Sequence, residues 1–329
     1  MKTLIILDTN KIRSMNLGGA SYGSFEFGSE FDSLSSYVRE KGLSEFIEIA
    51  VPNVALEELL QQKAEQYSED IETIAGISNR LSELPGVDLS QVSLPAKSFD
   101  PKEHLEPRMR DFVKRSELTV IDLEEEKLGP ILKEVLKRAI ERRPPFRRGA
   151  KSKDMGFKDV MIWESILHFD GCRKSDKVML LTTDSDFNEK CKQEFESKVK
   201  REILITPSVD FVLATIDADY AFVIQNKKWI DFVKADYFKS YFDGKLSKLE
   251  YLTVSGVERK VVHVSLVNPL DAVEELESEE GSEAATVLVA SLKATVDIDG
   301  HATDVNVRAR TYVDDAMGID DTDFDVTEP

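Results

Sequence analysis

Two short apolar runs, far apart in the sequence, each end in a group of acidic, amide and hydroxyl side chains. Residues 4–7 (LIIL) lead into Asp8-Thr9-Asn10, and residues 178–181 (VMLL) lead into Thr182-Thr183-Asp184-Ser185-Asp186. Apolar runs without polar interruption predict strands that are buried on both faces, as in a parallel sheet. Ligands bind at the carboxyl ends of the strands in open α/β sheets. The pattern therefore predicts that these polar groups lie at a binding edge.

Two predicted helices bring further acids to the same edge. Asp159 opens an apolar pattern at helical spacing, and Glu57 and Glu58 lie on a helix that follows a predicted strand at residues 47–51. Each acid has a simpler explanation, because an aspartate after a strand commonly caps a helix and adjacent glutamates are commonly solvated. The recurrence of strand-then-aspartate favours a metal site, since converging carboxylates repel each other unless a cation joins them. Such hard oxygen ligands suit Mg²⁺ or Mn²⁺.

Strand and helix signals alternate over residues 1–208. This alternation predicts an α/β fold with a mostly parallel sheet and helices on both faces. The predicted elements are helices at residues 30–41, 54–84 and 131–140, a loop at residues 85–101 and a strand at residues 118–122. The glycine at position 76 predicts an interruption of the second helix.

Composition excludes several classes of protein. The sequence has no run of about 18 apolar residues and no cationic-then-apolar start, so we predict neither a membrane span nor export. Its two cysteines, Cys172 and Cys191, lack metal-binding or redox spacing and fit a reducing cytoplasm. The four histidines are scattered, which gives little support to a zinc site or a histidine-dependent triad. We therefore predict a cytoplasmic protein with no membrane partner.

The net charge of −19 is unevenly distributed along the chain. Residues 133–158, the basic segment, contain ten lysines and arginines against three acids, whereas residues 264–329 contain seventeen acids and three bases. The basic segment leads directly to Asp159, as a site for a phosphate backbone requires. We predict nucleic-acid contacts from Arg147, Arg148, Lys151 and Lys153. The alternative, that these side chains form a solvated loop, stays open.

Residues 209–329 form a second predicted domain, a helix followed by a smaller β-rich module. Aromatic residues between Trp229 and Tyr251 recur at helical spacing and predict a helix packed on a core. Residues 251–267 and 286–313 read as strands, with a hairpin turn at Asp299-Gly300. The acidic run at residues 271–283 predicts a disordered loop, and residues 314–329 predict a poorly anchored acidic tail. This tail either competes with nucleic acid for the basic segment or only keeps the domain in solution.

Four motifs in this order resemble those of the PIN-domain nucleases. They are Leu7-Asp8-Thr9-Asn10, Pro52 with Glu57-Glu58-Leu59, Lys158-Asp159-Val160 with Trp163, and residues 182–187 (TTDSDF). The resemblance spans roughly residues 1–208, and the run Arg143-Pro144-Pro145-Phe146 followed by Phe157-Lys158-Asp159 is similar to a bacterial PIN-like branch. The resemblance implies a PIN-like (Rossmann-like) fold that hydrolyses RNA phosphodiester bonds with Mg²⁺ or Mn²⁺.

The resemblance also implies roles for individual residues. Asp8, Glu58, Asp159 and Asp184 match the catalytic and metal-binding positions, with Glu57 and Asp186 as alternatives to Glu58 and Asp184. Asp8 would be a principal metal ligand, and Glu58 would bind metal or orient the attacking water. Asn10 and Thr183 are predicted to hold the carboxylates in place. Cleavage would leave a 5′-phosphate and a 3′-hydroxyl.

Other functions stay open on the sequence alone. An aspartate-dependent phosphatase would use Asp8 as its nucleophile, but the chain has Asn10 where a second aspartate would serve as general acid. A catalytically inactive PIN-like scaffold would act through its β-rich domain as an RNA-binding module. Family analogy adds a toxin or defence effector with a regulatory protein partner, and self-association into a homo-oligomer is compatible with the sequence.

Overall fold

The computed structural model describes residues 1–13, 22–82, 99–146, 156–275, 286–314 and 316–327. By its internal contacts the chain divides into two compact units, Met1–Asp219 and Tyr220–Pro329. Part of the predicted loop, residues 85–98, and part of the predicted acidic loop, residues 276–283, lie outside the described residues. Among the described helices, none combines the length and apolar character that crossing a bilayer requires.

Five parallel strands form the sheet of the first unit. They are β1 (Thr3–Leu7), β2 (Ile47–Pro52), β3 (Thr119–Ile121), β4 (Lys177–Leu181) and β5 (Ile203–Thr206), in the spatial order β3-β2-β1-β4-β5. The side chains of residues 4–7 and 178–181 are at most 1% exposed, because helices cover both faces of these central strands. The predicted α/β fold with a parallel sheet is confirmed.

The helices of the first unit alternate with its strands. They are α1 (Thr9–Ile12), α2 (Ser29–Glu40), α3 (Asn53–Leu81), α4 (Pro101–Arg115), α5 (Glu125–Glu141), α6 (Phe157–His168), α7 (Asp170–Lys174), α8 (Glu189–Val199) and α9 (Val209–Asp219). The predicted interruption of α3 is wrong, because the helix runs through Gly76 without a break. A single glycine on an exposed helical face costs only about 1 kcal/mol, too little to end a helix of this length.

Two helices differ from the sequence expectation because of proline. The predicted loop at residues 85–101 extends one residue too far, since Pro101 begins α4 and Asp100 caps it by accepting the backbone N–H groups of Lys102 and Glu103. Proline is well tolerated in a first helical turn, where its missing N–H has no partner to lose. Helix α5 begins at Glu125, before the predicted start at residue 131, and continues through Pro130, which lies inside the helix.

The order of the strands reverses between β1 and β4. Leu7 lies opposite Leu181 in their parallel register, so the residues that follow the two strands leave the same edge of the sheet side by side. In doubly wound sheets, ligands bind in the crevice at such a switch point. The topology therefore places Asp8 and the segment from Thr182 to Asp186 where a ligand site is expected.

A buried ion cluster joins three helices behind this edge. Arg138 of α5 is 1% exposed and donates hydrogen bonds to Glu164 of α6 (2.6 Å) and Glu194 of α8 (2.7 Å). It also donates to the backbone carbonyl of Pro144, and Trp163 donates from its indole to Glu194 (3.0 Å). Burial raises the pKa of Glu194, but the hydrogen bonds it accepts outweigh burial and lower that pKa to about 2. The cluster thus fixes α6, which carries Asp159.

The second unit is an antiparallel sheet with short helices. Its elements are α10 (Ala221–Gln225), α11 (Lys227–Lys234), α12 (Asp236–Ser247), β6 (Tyr251–Val254), β7 (Val257–Glu275), β8 (Thr286–Ile298), β9 (His301–Val313) and β10 (Ile319–Thr327). The strands pair in the order β10-β9-β8-β7-β6. Phe238 and Phe242 are buried in the core of this unit, as the aromatic spacing predicted. Asp299 and Gly300 form the β8–β9 turn with φ of 55° and 86°.

Two predictions for the acidic residues of this unit are wrong. Residues 271–275 of the predicted disordered loop form the end of β7, and most of the predicted tail is strand β10, which pairs with β9. Thr322, Phe324 and Val326 point to the core of the unit, while the aspartates occupy alternate positions. Period-two alternation determines the structure here, although the composition alone is typical of a solvated tail.

Deleting residues 319–329 should destabilise the second unit rather than release a mobile inhibitor. The deletion removes the pairing of β10 with β9 and the apolar contacts of Phe324 and Val326. We expect the melting temperature of this unit to fall by about 10 °C or more, measured by circular dichroism together with light scattering. The control is full-length protein with Asp320, Asp321, Asp323 and Asp325 changed to Asn, which keeps the strand. Unchanged melting of the truncated protein would contradict the structural role of β10.

Candidate active site

Asp8 immediately follows β1 and is only 3% exposed. Its carboxylate accepts hydrogen bonds from the backbone N–H of Thr9 (2.7 Å), the side-chain amide of Asn10 (2.5 Å) and the hydroxyl of Thr182 (2.6 Å). Asp8 is also the N-cap of α1, so the simpler explanation of this residue holds as well. Capping a four-residue helix does not require burial of a carboxylate, however, and burying an ionised group is costly. Burial therefore indicates a second role for Asp8.

Two side chains connect the end of β1 to the end of β4. Asn10 donates from its amide to Asp8 and to Thr182 (3.2 Å), and its oxygen accepts the backbone N–H of Thr183 (3.0 Å). Thr182 is buried, donates to Asp8 and accepts the backbone N–H of Asp184 (3.0 Å). Asn10 therefore holds the Asp8 carboxylate in one orientation. Thr183 takes part through its backbone, and its side chain is exposed.

The surroundings of Asp8 disfavour its charge. Burial raises the pKa of Asp8 to about 6, although hydrogen bonds from Thr182 and the backbone of Thr9 partly offset this effect. The negative charges of Asp184 and Glu58 make smaller contributions to this raised pKa. Both acids are thus close enough to Asp8 to repel it. A cation among the three carboxylates would remove this repulsion.

Asp184 and Asp186 lie in the turn that follows β4. The backbone N–H of Asp186 donates to the Asp184 carboxylate (2.8 Å), which orients that side chain. Both residues are half-buried. The charge of Asp184 acts on Asp8, whereas the backbone N–H of Asp186 serves to position Asp184. Of the two alternatives, the structure brings Asp184 towards the buried carboxylate.

The adjacent glutamates of α3 lie in different surroundings. Glu58 accepts hydrogen bonds from the Thr9 hydroxyl (2.8 Å) and from the Lys158 ammonium group (2.9 Å). Glu57 is paired with Lys102 of α4 (3.4 Å) and is 46% exposed. Neighbouring helical positions differ by about 100° around the axis, so only one of the pair faces the end of β1. The structure brings Glu58 to this edge of the sheet.

Asp159 lies in the first turn of α6 and is half-buried. The preceding residue, Lys158, reaches across to Glu58, so the first turn of α6 lies next to the first turns of α3. Gly156 caps α6 in the left-handed conformation, with φ of 84°, which sets the direction in which the chain enters the helix. The first turn of α6, which carries Asp159, therefore lies beside α3, and a place for the Asp159 carboxylate among the other acids stays a prediction.

The donor set fits a hard divalent cation. Asp8, Glu58 and Asp184 offer carboxylate oxygens, which are the ligands that Mg²⁺ and Mn²⁺ prefer. Within the described ranges, no group of three or more His, Cys, Asp or Glu side chains forms a ready metal cage in this conformation. The carboxylates of Asp8 and Glu58 instead accept the hydrogen bonds given above. The residues fit a divalent cation because their donor atoms are carboxylate oxygens and because the charges of Glu58 and Asp184 repel that of Asp8.

Comparison with models of protein families matches residues 5–187, more than half of the chain, to a PIN domain. The chain belongs to the PIN domain family. PIN domains are generally nucleases that act on RNA and typically use divalent metals. The match begins in β1 and ends at Phe187, so it covers all six predicted acids. Searches of curated proteins and of solved structures gave no significant match.

The predicted nucleic-acid contacts of the PIN domain, Arg147, Arg148, Lys151 and Lys153, lie outside the described residues. Their place in the sequence is nevertheless informative. The stretch that contains them ends at residue 155, directly before the Gly156 cap of α6. Four cations therefore precede the helix that carries Asp159. Their role stays a prediction.

Sequence reasoning missed two contacts in this PIN domain. The hydroxyl of Thr182 is the side-chain donor that lowers the pKa of Asp8 most, and its position at the end of β4 is the one local signal for it. The ion pair between Lys158 and Glu58 joins residues 100 positions apart, so no local pattern reveals it. Both contacts arise because the topology brings separate strand and helix ends to one edge.

Proposed function

We propose that this PIN domain is a divalent-metal-dependent endoribonuclease that hydrolyses RNA phosphodiester bonds with Mg²⁺ or Mn²⁺. One observation carries the proposal. A buried aspartate at the switch point of the sheet has its pKa raised by burial and by the charges of two further acids, Asp184 and Glu58. Such an arrangement destabilises the metal-free protein and is relieved when a cation binds. It is an arrangement expected of a metal site and not of a set of helix caps.

In this proposal Asp8, Asp184 and Asp159 hold the metal, and Glu58 either completes the set or orients the attacking water. Bound Mg²⁺ or Mn²⁺ supplies a more acidic water and neutralises charge that develops on the phosphate. Asn10 and Thr182 hold the Asp8 carboxylate in one orientation through the hydrogen bonds described above. Asp186 positions Asp184 through its backbone N–H. The product ends implied are a 5′-phosphate and a 3′-hydroxyl.

A cleavage assay with purified protein tests the proposal. The substrates are a panel of structured and single-stranded RNAs, with single-stranded DNA for comparison, each in Mn²⁺, Mg²⁺ or EDTA. We expect internal cleavage of RNA with either metal, none in EDTA, and 5′-phosphate ends that a kinase cannot label before phosphatase treatment. Cleavage that persists in EDTA, or binding of RNA without any cleavage in Mn²⁺, would refute the proposal. The second outcome would favour a scaffold.

The four cations before α6 should bind the RNA backbone without reading its sequence. Changing Arg147, Arg148, Lys151 and Lys153 to Ala should weaken binding about equally for all RNAs, because phosphates carry no sequence information. It should also make affinity depend less steeply on salt. The slope of the logarithm of the binding constant against the logarithm of salt concentration should become shallower by about 0.7 for each phosphate of a single strand that the variant no longer binds. Fluorescence anisotropy at several salt concentrations measures both effects.

A charge-matched control separates this local effect from the loss of net charge. Its four substitutions to Ala are at Arg39, Lys41, Lys114 and Arg115, at the carboxyl ends of α2 and α4. Arg39 and Arg115 line a cavity of about 710 Å³ at the amino ends of β1 and β2, the opposite edge of the sheet from Asp8. We expect this variant to keep most of its salt dependence. Equal slopes for the two variants would mean that the cations before α6 only face solvent.

A further inference from the structure

A lysine side chain forms an ion pair with one acid of the candidate site. The Lys158 ammonium group lies 2.9 Å from Oε1 of Glu58, and the two residues belong to different helices, α6 and α3. The Lys158 side chain is 47% exposed, whereas that of Glu58 is 18% exposed. The Glu58 carboxylate is therefore held in place by its surroundings and by the Thr9 hydroxyl, which donates to it at 2.8 Å. The Lys158 side chain reaches the carboxylate from the solvent-exposed surface. An amine on a flexible, half-exposed stem can leave this contact without disturbing the core.

The contact places a positive charge where a metal ion is expected to act. Glu58 repels Asp8 electrostatically, and Lys158 partly neutralises Glu58 in the metal-free protein. A divalent cation at Asp8 and Asp184, with Glu58 completing the set, would compete with the ammonium group for the same carboxylate. With Glu58 so engaged, two neighbouring cations would repel each other and Lys158 would be released. The released ammonium group is still attached to the first turn of α6, beside Asp159.

We infer that Lys158 has two alternative partners, the Glu58 carboxylate without metal and an RNA phosphate at the same site with metal. In the first state it is an internal substitute for the cation. In the second it positions the RNA backbone beside the scissile bond, as a compact charge with three donors can. This inference rests on the proposed function. It adds that Lys158 binds an RNA phosphate at this site only when the metal is bound.

A neighbouring lysine provides a matched control. Lys102 pairs with Glu57, the residue next to Glu58 on α3, at 3.4 Å, and its side chain is 43% exposed. The two lysines thus share residue type, partner type and exposure. They differ in that Glu58, and not Glu57, contributes to the electrostatic repulsion at Asp8. If both ion pairs only tie helices together, removing either lysine should have the same consequences.

The first measurement is Mn²⁺ binding to RNA-free, full-length protein by calorimetry. For Lys158→Met we expect Mn²⁺ to bind about two- to fivefold more tightly than to the wild type, the range that one partly exposed ion pair contributes. Lys102→Met should bind Mn²⁺ like the wild type. Equal or weaker Mn²⁺ binding by Lys158→Met overturns the inference and leaves the proposed function intact. A wild type that binds no Mn²⁺ overturns both.

The second measurement is RNA binding and cleavage. In EDTA, wild type and Lys158→Met should bind RNA equally, because Glu58 holds Lys158 in the wild type. In Mn²⁺, Lys158→Met should show a KM for RNA about fivefold higher with kcat changed less than about twofold, whereas Lys102→Met should change neither. Lys158→Arg keeps the charge and should restore most of the KM. An equal loss of RNA affinity with and without metal would show that Lys158 does not alternate between partners.

Glu58→Gln makes the inference testable even if Lys158→Met folds poorly. The amide releases Lys158 without metal, so this variant should bind RNA more tightly than the wild type in EDTA, by about two- to fivefold. Unchanged RNA affinity of a folded Glu58→Gln protein in EDTA would overturn the proposed second partner of Lys158.

Discussion

Changing Asp8 to Asn should abolish RNA cleavage and leave the metal-free protein as stable as the wild type or more so. The substitution removes the carboxylate that the other acids of the site face, so we expect activity in Mn²⁺ to fall by about three orders of magnitude or more. Asp100→Asn is the matched control, because Asp100 also caps a helix but is exposed and lies outside the acid group. Its activity should equal that of the wild type.

The stability of the metal-free Asp8→Asn protein should depend on pH in a defined way. The pKa of Asp8 is raised from 3.8 to about 6 in the folded protein. The folded state therefore binds more protons than the unfolded state between these values, and wild-type stability falls as pH rises from about 4 to about 6. A shift of about two units corresponds to about 3 kcal/mol at pH 8. Asn avoids this loss but places an N–H group against the Asn10 amide, so the net gain should be smaller, about 1–2 kcal/mol.

Urea unfolding in EDTA at pH 4 to 8 measures this difference. The free energy of unfolding of Asp8→Asn should exceed that of the wild type at pH 8, and this advantage should shrink as pH falls from about 6 to about 4, because Asp8 becomes protonated in the folded wild type. An Asp8→Asn protein that unfolds several kcal/mol more easily at pH 8 would show that Asp8 acts as a structural cap alone. In that case the assignment of the metal site fails.

Changing Arg138 to Met should cause the largest loss of stability. The substitution removes the arginine that pairs with the fully buried Glu164, and with it the main donor to Glu194. Removing one partner of a buried ion pair typically costs about 3–5 kcal/mol, and we expect that range from urea unfolding at pH 7. Activity should fall as well, because the cluster fixes α6 and thereby Asp159. Arg143→Met is the control, since Arg143 pairs with Glu134 but is 34% exposed; it should cost at most about 1 kcal/mol.

The pH dependence of the Arg138 variant provides an independent check. The pKa of Glu194 is lowered from 4.5 to about 2 in the wild type, so its ionised form stabilises the protein above about pH 4.5 and this contribution is lost as pH falls towards 2. Without Arg138 the pKa of Glu194 should move upwards and the difference in stability between variant and wild type should shrink in acid. A constant difference from pH 7 to pH 3 would contradict the role assigned to this cluster.

The sequence predicted the parallel sheet because the strands depend on a local pattern. The residues before Asp8 and before Thr182 are uninterrupted apolar strands, and parallel strands end at a common edge. Position along a helix distinguishes Glu58 from Glu57 only once the structure shows which face meets β1. The proximity of Glu58 to Lys158 is set by the packing of α3 against α6. No spacing within either helix contains that information.

The missed elements have different physical causes. Proline is typical of a helix break, yet Pro101 lies in the first turn of a helix, where it loses no hydrogen bond. In β10 the aspartates dominate the composition, although Thr322, Phe324 and Val326 alternate with them. Both errors come from weighing residue type above residue position. A proline or an aspartate has no fixed structural meaning until its place in a period is known.

The pairing of β1 with β4 has a consequence during protein synthesis. The hydrogen bond between Asp8 and Thr182 joins residues 174 positions apart, and β1 lies between β2 and β4 in the finished sheet. A growing chain that ends before β4 has Asp8 but lacks both the hydroxyl that orients it and Asp184. The acid group is therefore assembled only after more than half of the polypeptide has left the ribosome. For the proposed ribonuclease, which would be made among ribosomal and messenger RNA, this order of assembly would delay activity until the first unit is nearly complete.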